Sequence, residues 1–449
     1  MRLPKNPKPF DELVSSYEPN DLVRLLGSDI GSLPKDRYLH WDQLRHLPPP
    51  EGFTSLDWWT AVKLKRMVSR HELPFKDTRG RPFSFSDTEN LYPRLHQVDR
   101  DVSGRIEVPH GDVVNSGSRE RYLMNSLIEE AITSSQLEGA VTTRRVAKEL
   151  LRSGRPPRDN SERMIVNNYS GMEFLRENID EELTVPMLMD LQRTLTEGTL
   201  DPDAVGRLRR QTDVVAVVDQ RDGEVVHTPP DASQLSDRVE LLLDFANGRT
   251  EDDPFLHPVV KSILLHFMIG YDHPFVDGNG RTARALFYWS MARSGYWLTE
   301  FLSISAVIQK APAQYVRAYV FSEIDDNDVT YFLDYNLRVI LDSIRFLHAY
   351  LARKAGETSR LEAMLRGSDA ALVLNHRQVA LLGHMLKHPD SSYTIDGHRR
   401  SHNVTYETAR TDLRALDKMG LIVKYTGGRK WIYRISDNFE DRLKRVVAP

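Results

Sequence analysis

The chain has 449 residues, enough for about three domains at roughly 150 residues each. Apolar residues make up 40% and charged residues 28%, which is typical of a soluble globular protein and excludes disordered and collagen-like classes. The absence of cysteine excludes disulfides, thiolate metal sites and cysteine nucleophiles, and the net charge of −4 attracts neither nucleic acid nor anionic lipid as a whole. The longest uncharged apolar stretch, 262–271, is about half a membrane span, so we expect a cytoplasmic protein with no membrane partner.

Residues 1–112 contain frequent prolines and turn residues, and we expect them to form an N-terminal helical segment. Within it, residues 54–68 have a helical pattern that begins at a threonine suited to cap a helix. Trp58 and Trp59 are expected to pack this helix onto the rest of the protein, because burial is the common use of tryptophan.

Residues 113–350 have the pattern of a helical domain. Apolar residues recur along one face of 119–137, and Gly139 follows where that helix should end. Further helices are predicted at 161–178, 185–197, 232–246, 254–271, 281–293 and 329–350. The valine-rich runs 214–218 and 225–227 flank a turn at 222–223, which predicts a β-hairpin inside the helical domain.

The C-terminal part of the chain is predicted to be a separate unit. Residues 351–369 are polar and charged, and we assign them to a linker that precedes a domain at 370–449. In that domain three predicted helices, 378–387, 394–401 and 405–419, are followed by a hairpin of 421–425 and 430–435. This order predicts a winged helix-turn-helix domain.

The segment 273–284, HPFVDGNGRTAR, has the composition of a phosphate-binding loop. Gly278 and Gly280 lack a Cβ, so the backbone can curl and direct successive N–H groups at an anion. The next helix begins near Arg281, and its N-terminus adds positive partial charge at the same place. Arg284 lies one turn further on, where its guanidinium can join that of Arg281 on a polyphosphate.

Two further residues of the segment bear on chemistry. Asp277 is its acid, and a carboxylate beside bound phosphate is suited to hold Mg²⁺. His273 precedes the loop, where a neutral imidazole can take a proton from an attacking hydroxyl.

The same segment resembles the signature of Fic-domain proteins, His-x-Phe-x-(Asp/Glu)-Gly-Asn-Gly-Arg-x-x-Arg, at every fixed position. Residues 206–209 (GRLR) and the hairpin that ends in 227–230 (HTPP) are similar to the flap region of that family, and the resemblance covers about 115–345. It implies a mainly α fold: a Fic helical core with a β-hairpin flap. The implied activity is that of a Mg²⁺-dependent protein adenylyltransferase, which transfers AMP from ATP to a Ser, Thr or Tyr hydroxyl of a target protein.

The resemblance also implies roles for individual residues. His273 is the general base, Asp277 binds Mg²⁺ and Phe275 anchors the loop. The loop amides, the Asn279 side chain and Arg281 hold the α- and β-phosphates, and Arg284 meets the terminal phosphate. The ATP-binding residues are thus expected to be Gly278, Asn279, Gly280, Arg281, Thr282, Ala283 and Arg284, with Tyr315 as a candidate wall for the adenine. The flap, through Val215, Val217 and Val226, is expected to align a target segment by strand addition.

A second motif, Ser134 to Gly139 (SSQLEG), resembles the inhibitory helix of Fic proteins that restrain themselves. Ser134 and Glu138 are therefore expected to be regulatory. An ion pair between Glu138 and Arg284 would occupy the arginine that binds the γ-phosphate and leave ATP in an unproductive position. In an alternative interpretation, the same glutamate activates a water molecule that removes AMP.

The C-terminal domain carries a local excess of positive charge, with nine Lys or Arg against three acids between residues 397 and 434. We expect Arg410 and Arg414 on the candidate recognition helix, and Arg429 and Lys430 near the wing tip, to meet duplex DNA, although such domains also dock proteins or form homodimers. Two alternative functions remain open. One is a DNA-binding regulator whose Fic core senses a nucleotide; the other is transfer or removal of another phosphate-linked group, such as phosphocholine.

Overall fold

The structure is a computed structural model that describes residues 3–103, 116–218, 223–250, 255–365, 374–387, 391–427, 430–436, 438–439 and 441–443. Its architecture is mainly helical, as predicted. The helices are α1 Phe10–Ser15, α2 Pro19–Leu26, α3 Trp41–Leu44, α4 Ser55–Val68, α5 Leu91–Val98, α6 Ser116–Leu137, α7 Arg144–Ser153, α8 Asn160–Glu177, α9 Val185–Thr196, α10 Leu235–Asn247, α11 Pro258–Asp272, α12 Asn279–Arg293, α13 Ile304–Ile308, α14 Pro312–Ile324, α15 Thr330–Leu365, α16 His376–Lys387, α17 Ile395–His402 and α18 Tyr406–Lys418. Among the described helices, none is both long and apolar enough to cross a bilayer.

The strands form three separate antiparallel pairs. They are β1 Arg70–Lys76 with β2 Pro82–Ser86, β3 Val217–Val218 with β4 Val225–His227, and β5 Ile422–Gly427 with β6 Lys430–Ile435. The sequence analysis predicted the second and third pairs, although β3 is shorter than the predicted run 214–218. It missed the first pair, because β1 is mostly polar and β2 begins with a proline, so neither alternates regularly.

The centre of the main core is the helix pair α11 and α12, which pack against each other. Almost every residue of α11 from Val259 to Asp272 is buried, since apolar side chains cover all its faces. Helices α8 and α9 lie against α12, and α6 packs on α8. The short connection between α11 and α12 is therefore held from several sides, which fixes the loop that carries the signature motif.

The N-terminal segment is fastened to the rest by buried charges as well as by aromatic rings. Trp58 and Trp59 are buried, as expected, and pack α4 against Leu13, Leu39 and Leu44 of the N-terminal segment itself. Lys63 of α4 lies 2.7 Å from the carboxylate of Asp325, and both side chains are almost fully buried. Arg66 stacks on Tyr38, with its guanidinium 3.6 Å from the ring centre. The Lys63–Asp325 pair attaches α4 to the end of α14, and the Arg66–Tyr38 contact attaches it to the segment before α3.

Helix α15 continues through residues 351–365, the larger part of the predicted linker. The polar composition there belongs to a helix, and residues 366–369 lie outside the described chain. Beyond it, α16, α17, α18 and the β5–β6 pair enclose a second hydrophobic cluster that includes Leu382, Leu413 and Tyr433. The order of three helices and a hairpin is the one expected from the sequence, and the winged helix-turn-helix assignment stays a prediction.

The C-terminal helices touch the main domain at α6 and α7. The guanidinium of Arg400, on α17, lies against Gly154, where any Cβ would be 1.7 Å from its Nη1 atom. The same nitrogen is 3.5 Å from the carbonyl oxygen of Leu151, at the end of α7. Arg400 is thus engaged with the helical domain.

Candidate active site

The turn after α11 presents His273 in a defined orientation. This residue has left-handed backbone angles, φ 46° and ψ 56°, and its N–H still bonds to Ile269 O as the cap of the helix. The ring Nδ1 lies 3.2 Å from the carbonyl oxygen of Gly270. Since a carbonyl only accepts, Nδ1 carries the proton in the neutral ring, and Nε2 is left with the lone pair. Burial lowers the pKa of His273 to about 4, so the ring is neutral at physiological pH.

The loop that follows is braced from inside. Phe275 is fully buried, as the family resemblance implied. The side chain of Asn279 accepts a hydrogen bond from the Phe275 N–H at 2.9 Å and donates one to the Phe275 carbonyl at 2.8 Å. Both polar atoms of this amide are therefore engaged within the loop. These bonds use one of the two N–H donors of the amide, so the expected contact of the Asn279 side chain with phosphate stays a prediction.

The start of α12 has the form of an anion cradle. Gly278 is the N-cap residue, with φ 86°, and offers no side-chain cap to the helix. The first N–H groups of a helix have no intrahelical acceptors, so they are available to a ligand. A Cβ at Gly278 would lie 2.8 Å from the Cγ2 atom of Thr196, which explains why glycine is needed there for steric as well as conformational reasons.

The two arginines of the motif are buried side by side on α12. Arg281 donates from Nη1 to the carbonyl oxygen of Leu195 at 2.6 Å and from Nη2 to Asp277 at 3.2 Å. Its Nε is buried and has no hydrogen-bond partner among the described residues, so it has a donor to spare for a ligand. Burial lowers the pKa of Arg281, which nevertheless keeps its charge because the unperturbed value is so high.

Arg284 is held by the end of α6. Its Nε donates to the Ser134 hydroxyl at 2.9 Å, and its Nη2 donates to the Ser134 carbonyl at 3.1 Å. The same Nη2 lies 2.8 Å from the carboxylate of Glu138. The ion pair expected between Glu138 and Arg284 is therefore present, and Ser134 supports it from the same helix.

Glu138 also covers the cradle. A Cβ at Gly280 would lie only 2.2 Å from Glu138 Oε1, so the carboxylate rests directly against the first turn of α12. Burial alone would raise the pKa of Glu138, but Arg284, with Arg281 and His273 further away, holds that pKa below its usual value. A carboxylate thus occupies the place where the backbone and both arginines favour an anion.

The loop offers a divalent cation one carboxylate, that of Asp277. The side chain of Asp277 is about half exposed, and one of its oxygens bonds Arg281. The described residues contain no group of three or more His, Asp or Glu that could hold a metal ion by themselves. Mg²⁺ commonly takes one or two carboxylates together with phosphate oxygens and water, so Asp277 fits a metal that arrives with a nucleotide.

Other predicted ATP contacts are less direct. The side chains of Thr282 and Ala283 are fully buried, and Ala283 belongs to the main hydrophobic cluster. Neither side chain presents an exposed methyl group to a ligand. Tyr315 is half-buried, and its hydroxyl lies 2.8 Å from Nε2 of His266. Its role beside an adenine stays a prediction. His257 lies 3.2 Å from the carboxylate of Asp99 through its Nε2 atom.

The flap lies above this site. Val217 pairs with His227, and Val218 with Val225, in a two-residue ladder. Val215, Val217 and Val226 are half-buried, and docking of a target at these residues stays a prediction. The neighbouring flap residues Val214, Val218 and Val225 are more exposed.

The predicted DNA-binding residues are distributed over α18 and the hairpin. Arg410 is half-buried and its guanidinium lies 2.8 Å from Glu407 on the same helix, while Arg414 is exposed. Arg429 and the side chain of Lys430 lie outside the described part of the chain.

The sequence analysis missed several residues that build the site. Gln192 donates to the carbonyl oxygen of Asp277 at 3.2 Å, and Leu195 and Thr196 at the end of the same helix, α9, contact the motif. Arg209 binds the backbone at His273. The run 206–209 was noticed as similar to the flap region, but nothing in its spacing indicated what the arginine would contact.

These elements define a helical protein with an anion cradle, two buried arginines and a neutral histidine whose Nε2 is free to accept a proton. Residues 182–291 match the family model described as Fic/DOC family. The signature loop, residues 273–284, lies inside the matched region.

Two curated relatives are similar to part of this chain. The chain is 23% identical over 225 residues to the protein adenylyltransferase Fic of Nematostella vectensis, a match that covers 47% of this chain and 49% of that protein. It is 27% identical over 207 residues to the protein adenylyltransferase Fic of Drosophila melanogaster, covering 45% of this chain and 39% of that protein. The match thus spans about half or less of these curated relatives.

Among solved structures, a Fic family protein from Desulfovibrio desulfuricans is similar over 79% of this chain and 98% of its own, with a TM-score of 0.48 and 17% identity. A Fic-domain signalling protein from Bacteroides thetaiotaomicron is similar over 59% of this chain and 97% of its own, with a TM-score of 0.44 and 21% identity.

Proposed function

We propose that the protein is an autoinhibited, Mg²⁺-dependent adenylyltransferase that transfers AMP from ATP to a Ser, Thr or Tyr hydroxyl of a target protein and of itself. The observation that carries the proposal is the neutral His273, with Nδ1 donating to Gly270 and Nε2 free, beside a helix N-terminus that has no side-chain cap. The names of the relatives support AMP transfer as the reaction.

The proposed reaction is a displacement at the α-phosphorus of ATP. The target hydroxyl oxygen forms a bond to this phosphorus, the bond to the β-phosphate oxygen breaks, and pyrophosphate leaves with that bond's electron pair. Nε2 of His273 takes the proton of the hydroxyl. The first amides of α12 and the guanidinium of Arg281 hold the phosphates, and Mg²⁺, held by Asp277, would neutralise charge on them when bound.

Restraint is proposed to come from Glu138. Its carboxylate engages Arg284 and lies against Gly280, so a γ-phosphate that approaches this corner meets a negative charge and an arginine already paired. ATP can then bind only in a position in which the α-phosphate is badly aligned with the attacking hydroxyl. Removal of the carboxylate frees both the arginine and the space.

The proposal is tested by incubating the chain with α-³²P-labelled ATP and Mg²⁺ and following label on the protein. We expect little label on the parent chain, about 10- to 100-fold more on Glu138→Gly, and none on Glu138→Gly combined with His273→Ala. Equal labelling of parent and Glu138→Gly chains, with ATP binding intact, would remove the autoinhibition. Absence of label from every variant would overturn the transfer itself.

The alternative role of Glu138, activation of water to remove AMP, is separated by a second assay. Modified chain is prepared with Glu138→Gly and mixed with an excess of unmodified parent chain, and release of AMP is measured. If AMP is released only when chain with Glu138 is present, Glu138 supports removal of AMP. If the modification is stable in the presence of that chain, Glu138 only restrains AMP transfer.

A second candidate function is DNA-binding regulation, with the Fic core as a nucleotide sensor. The observation that favours it is the exposed Arg414 on α18 in a locally basic domain. Binding of duplex DNA that weakens steeply with salt and with Arg414→Ala, and is unaffected by His273→Ala, supports it. No binding at low salt contradicts it.

A further inference from the structure

The C-terminal end of α11 is capped in an unusual way. The last carbonyl groups of a helix have no intrahelical donors and need other partners. Here the donors are side chains from the flap region. Nε2 of His227 lies 2.7 Å from the carbonyl oxygen of Tyr271, and Arg209 donates to the carbonyls of Asp272 and His273, at 3.3 and 2.8 Å.

Arg209 makes the larger share of these contacts. Besides the two carbonyls of the α11 end, its Nη2 donates to the carbonyl oxygen of Pro230, at the base of the flap. Its own backbone N–H bonds to Pro274 at 2.9 Å. The side chain is buried, with 7% of its surface exposed, so water does not compete freely for these carbonyls. One residue therefore joins the backbone on both sides of His273 to the flap.

This cap matters because His273 needs support. A non-glycine residue in the left-handed region is disfavoured by steric contact of its Cβ, and the surrounding structure must hold it there. The direction of the imidazole, and with it the position of Nε2, follows from these backbone angles. If the carbonyl of His273 were free to turn, the ring would turn with it.

We propose that Arg209 is a positioning residue for the transfer. By capping the end of α11 and the base of the flap together, it fixes Nε2 of His273 relative to the flap strand along which the target segment aligns. Arg209 touches no reacting atom. The inference rests on the proposed function, since it assigns His273 the role of base.

The test uses the full chain carrying Glu138→Gly, with Arg209→Met, Arg209→Lys or Arg210→Met added. Arg210 is the matched control, because it is an exposed neighbour whose guanidinium pairs with Asp203 at 3.0 Å, away from α11. With Arg209→Met we expect the rate constant of self-modification at saturating ATP to fall about 100-fold. The half-saturating ATP concentration should change by less than about twofold, because the phosphate cradle is intact. Arg209→Lys should retain part of the rate, and Arg210→Met all of it.

A second measurement does not depend on transfer. The imidazole of His273 is followed by NMR on ¹⁵N-histidine-labelled chain and assigned with His273→Ala. Arg209→Met should change the His273 ring signals and raise its pKa, since the positive charge of Arg209 lowers that pKa in the native protein. Arg210→Met should leave the spectrum as it is.

The outcomes are distinct. A folded Arg209→Met chain that self-modifies at the parent rate overturns the proposal, as does an unchanged His273 spectrum. If Arg209→Met does not fold, Arg209→Lys is measured instead. A parent rate of self-modification or an unchanged His273 spectrum in Arg209→Lys then overturns the proposal. If the Glu138→Gly chain transfers no label at all, the proposed function fails, while the NMR spectrum still decides whether Arg209 orients His273.

Discussion

The carboxylate of Glu138 occupies the space that a side chain at Gly280 would need, with Oε1 only 2.2 Å from where the Cβ would be. The two residues are far apart in the chain, on α6 and α12. Glycine at 280 therefore does two things: it exposes the first turn of α12 to an anion, and it lets the protein's own carboxylate reach that turn. The contact makes Glu138 and a bound phosphate competitors for one place.

The first prediction is a strong coupling between these two residues. Gly280→Ala should destabilise the parent chain by about 1–3 kcal/mol, because the new methyl group overpacks against Glu138. In a Glu138→Gly chain the same change should be neutral or stabilising, since alanine is the better helix former by about 1 kcal/mol.

The double-mutant cycle is measured by denaturant unfolding, with coupling expected above about 0.5 kcal/mol. Gly31→Ala serves as the control, since a Cβ there meets nothing within 4 Å. Additive effects of Gly280→Ala and Glu138→Gly would mean that the two side chains do not compete.

The second prediction concerns Ser134. Its hydroxyl accepts from Arg284 Nε, and removing it leaves a buried charged donor unpaired, at a cost of about 1–3 kcal/mol. Ser134→Ala should therefore weaken the contact between α6 and Arg284. We expect a self-modification rate between those of the parent chain and Glu138→Gly.

The neighbouring Ser135 provides the control. It is equally buried, but its hydroxyl donates to the carbonyl oxygen of Met164 and does not touch Arg284. Ser135→Ala should cost comparable stability without raising the rate of labelling. If both serine variants raised it equally, general loosening of α6 would explain the effect.

The motif could be predicted from sequence because its information is local. Gly278 lies at the start of a helix, where its spacing placed it, and Phe275 is buried, as the family resemblance implied. The helix boundaries around them follow from capping and apolar periodicity. Asn279 could not be read this way, since its bonds to Phe275 depend on how the loop folds back. The role of Arg209 was likewise hidden, because it depends on the meeting of two segments distant in sequence. The β1–β2 pair was missed for lack of alternation.

The third prediction is a pH-dependent flap. Nδ1 of His227 lies 2.8 Å from the carboxylate of Glu323 and Nε2 lies 2.7 Å from the carbonyl of Tyr271. Both partners accept, so both bonds form only in the imidazolium. Burial lowers the pKa of His227, but Glu323, the Tyr271 carbonyl and Asp272 together raise it above the usual value, while the cation Arg209 lies close by at the same helix end.

A histidine with a raised pKa contributes stability that is full below the unfolded value of about 6.5 and is lost as pH rises through the folded value. Hydrogen exchange of the β4 amides, corrected for intrinsic rates, should therefore accelerate as pH rises above about 6.5. Glu323→Gln should shift this acceleration to lower pH. A profile that is the same in both chains would show that His227 does not control the flap.

The fourth prediction concerns the C-terminal unit, where Asp412 is buried among donors. It accepts from Asn375 at 2.7 Å, from Arg377 at 2.7 and 3.0 Å, and lies 3.1 Å from Nε2 of His398. Burial would raise the pKa of Asp412, but His398, Arg377 and Asn375 hold it well below its usual range. An acid with a lowered pKa contributes stability above its unfolded value, and the contribution is lost as pH falls through the folded value.

Asp412→Asn should accordingly destabilise this unit by about 1–3 kcal/mol at pH 7, because it leaves the half-buried guanidinium of Arg377 without its counter-charge. Hydrogen exchange in α16 and α18 measures the loss. It should shrink below about pH 4, where the carboxylate of the unfolded chain takes up protons, and continue to shrink as pH falls through the lower folded pKa. Asp417→Asn, a less buried change on the same helix, is the control. A loss of the same size at pH 7 and pH 3 would mean that the charge of Asp412 is not what holds α16 against α18.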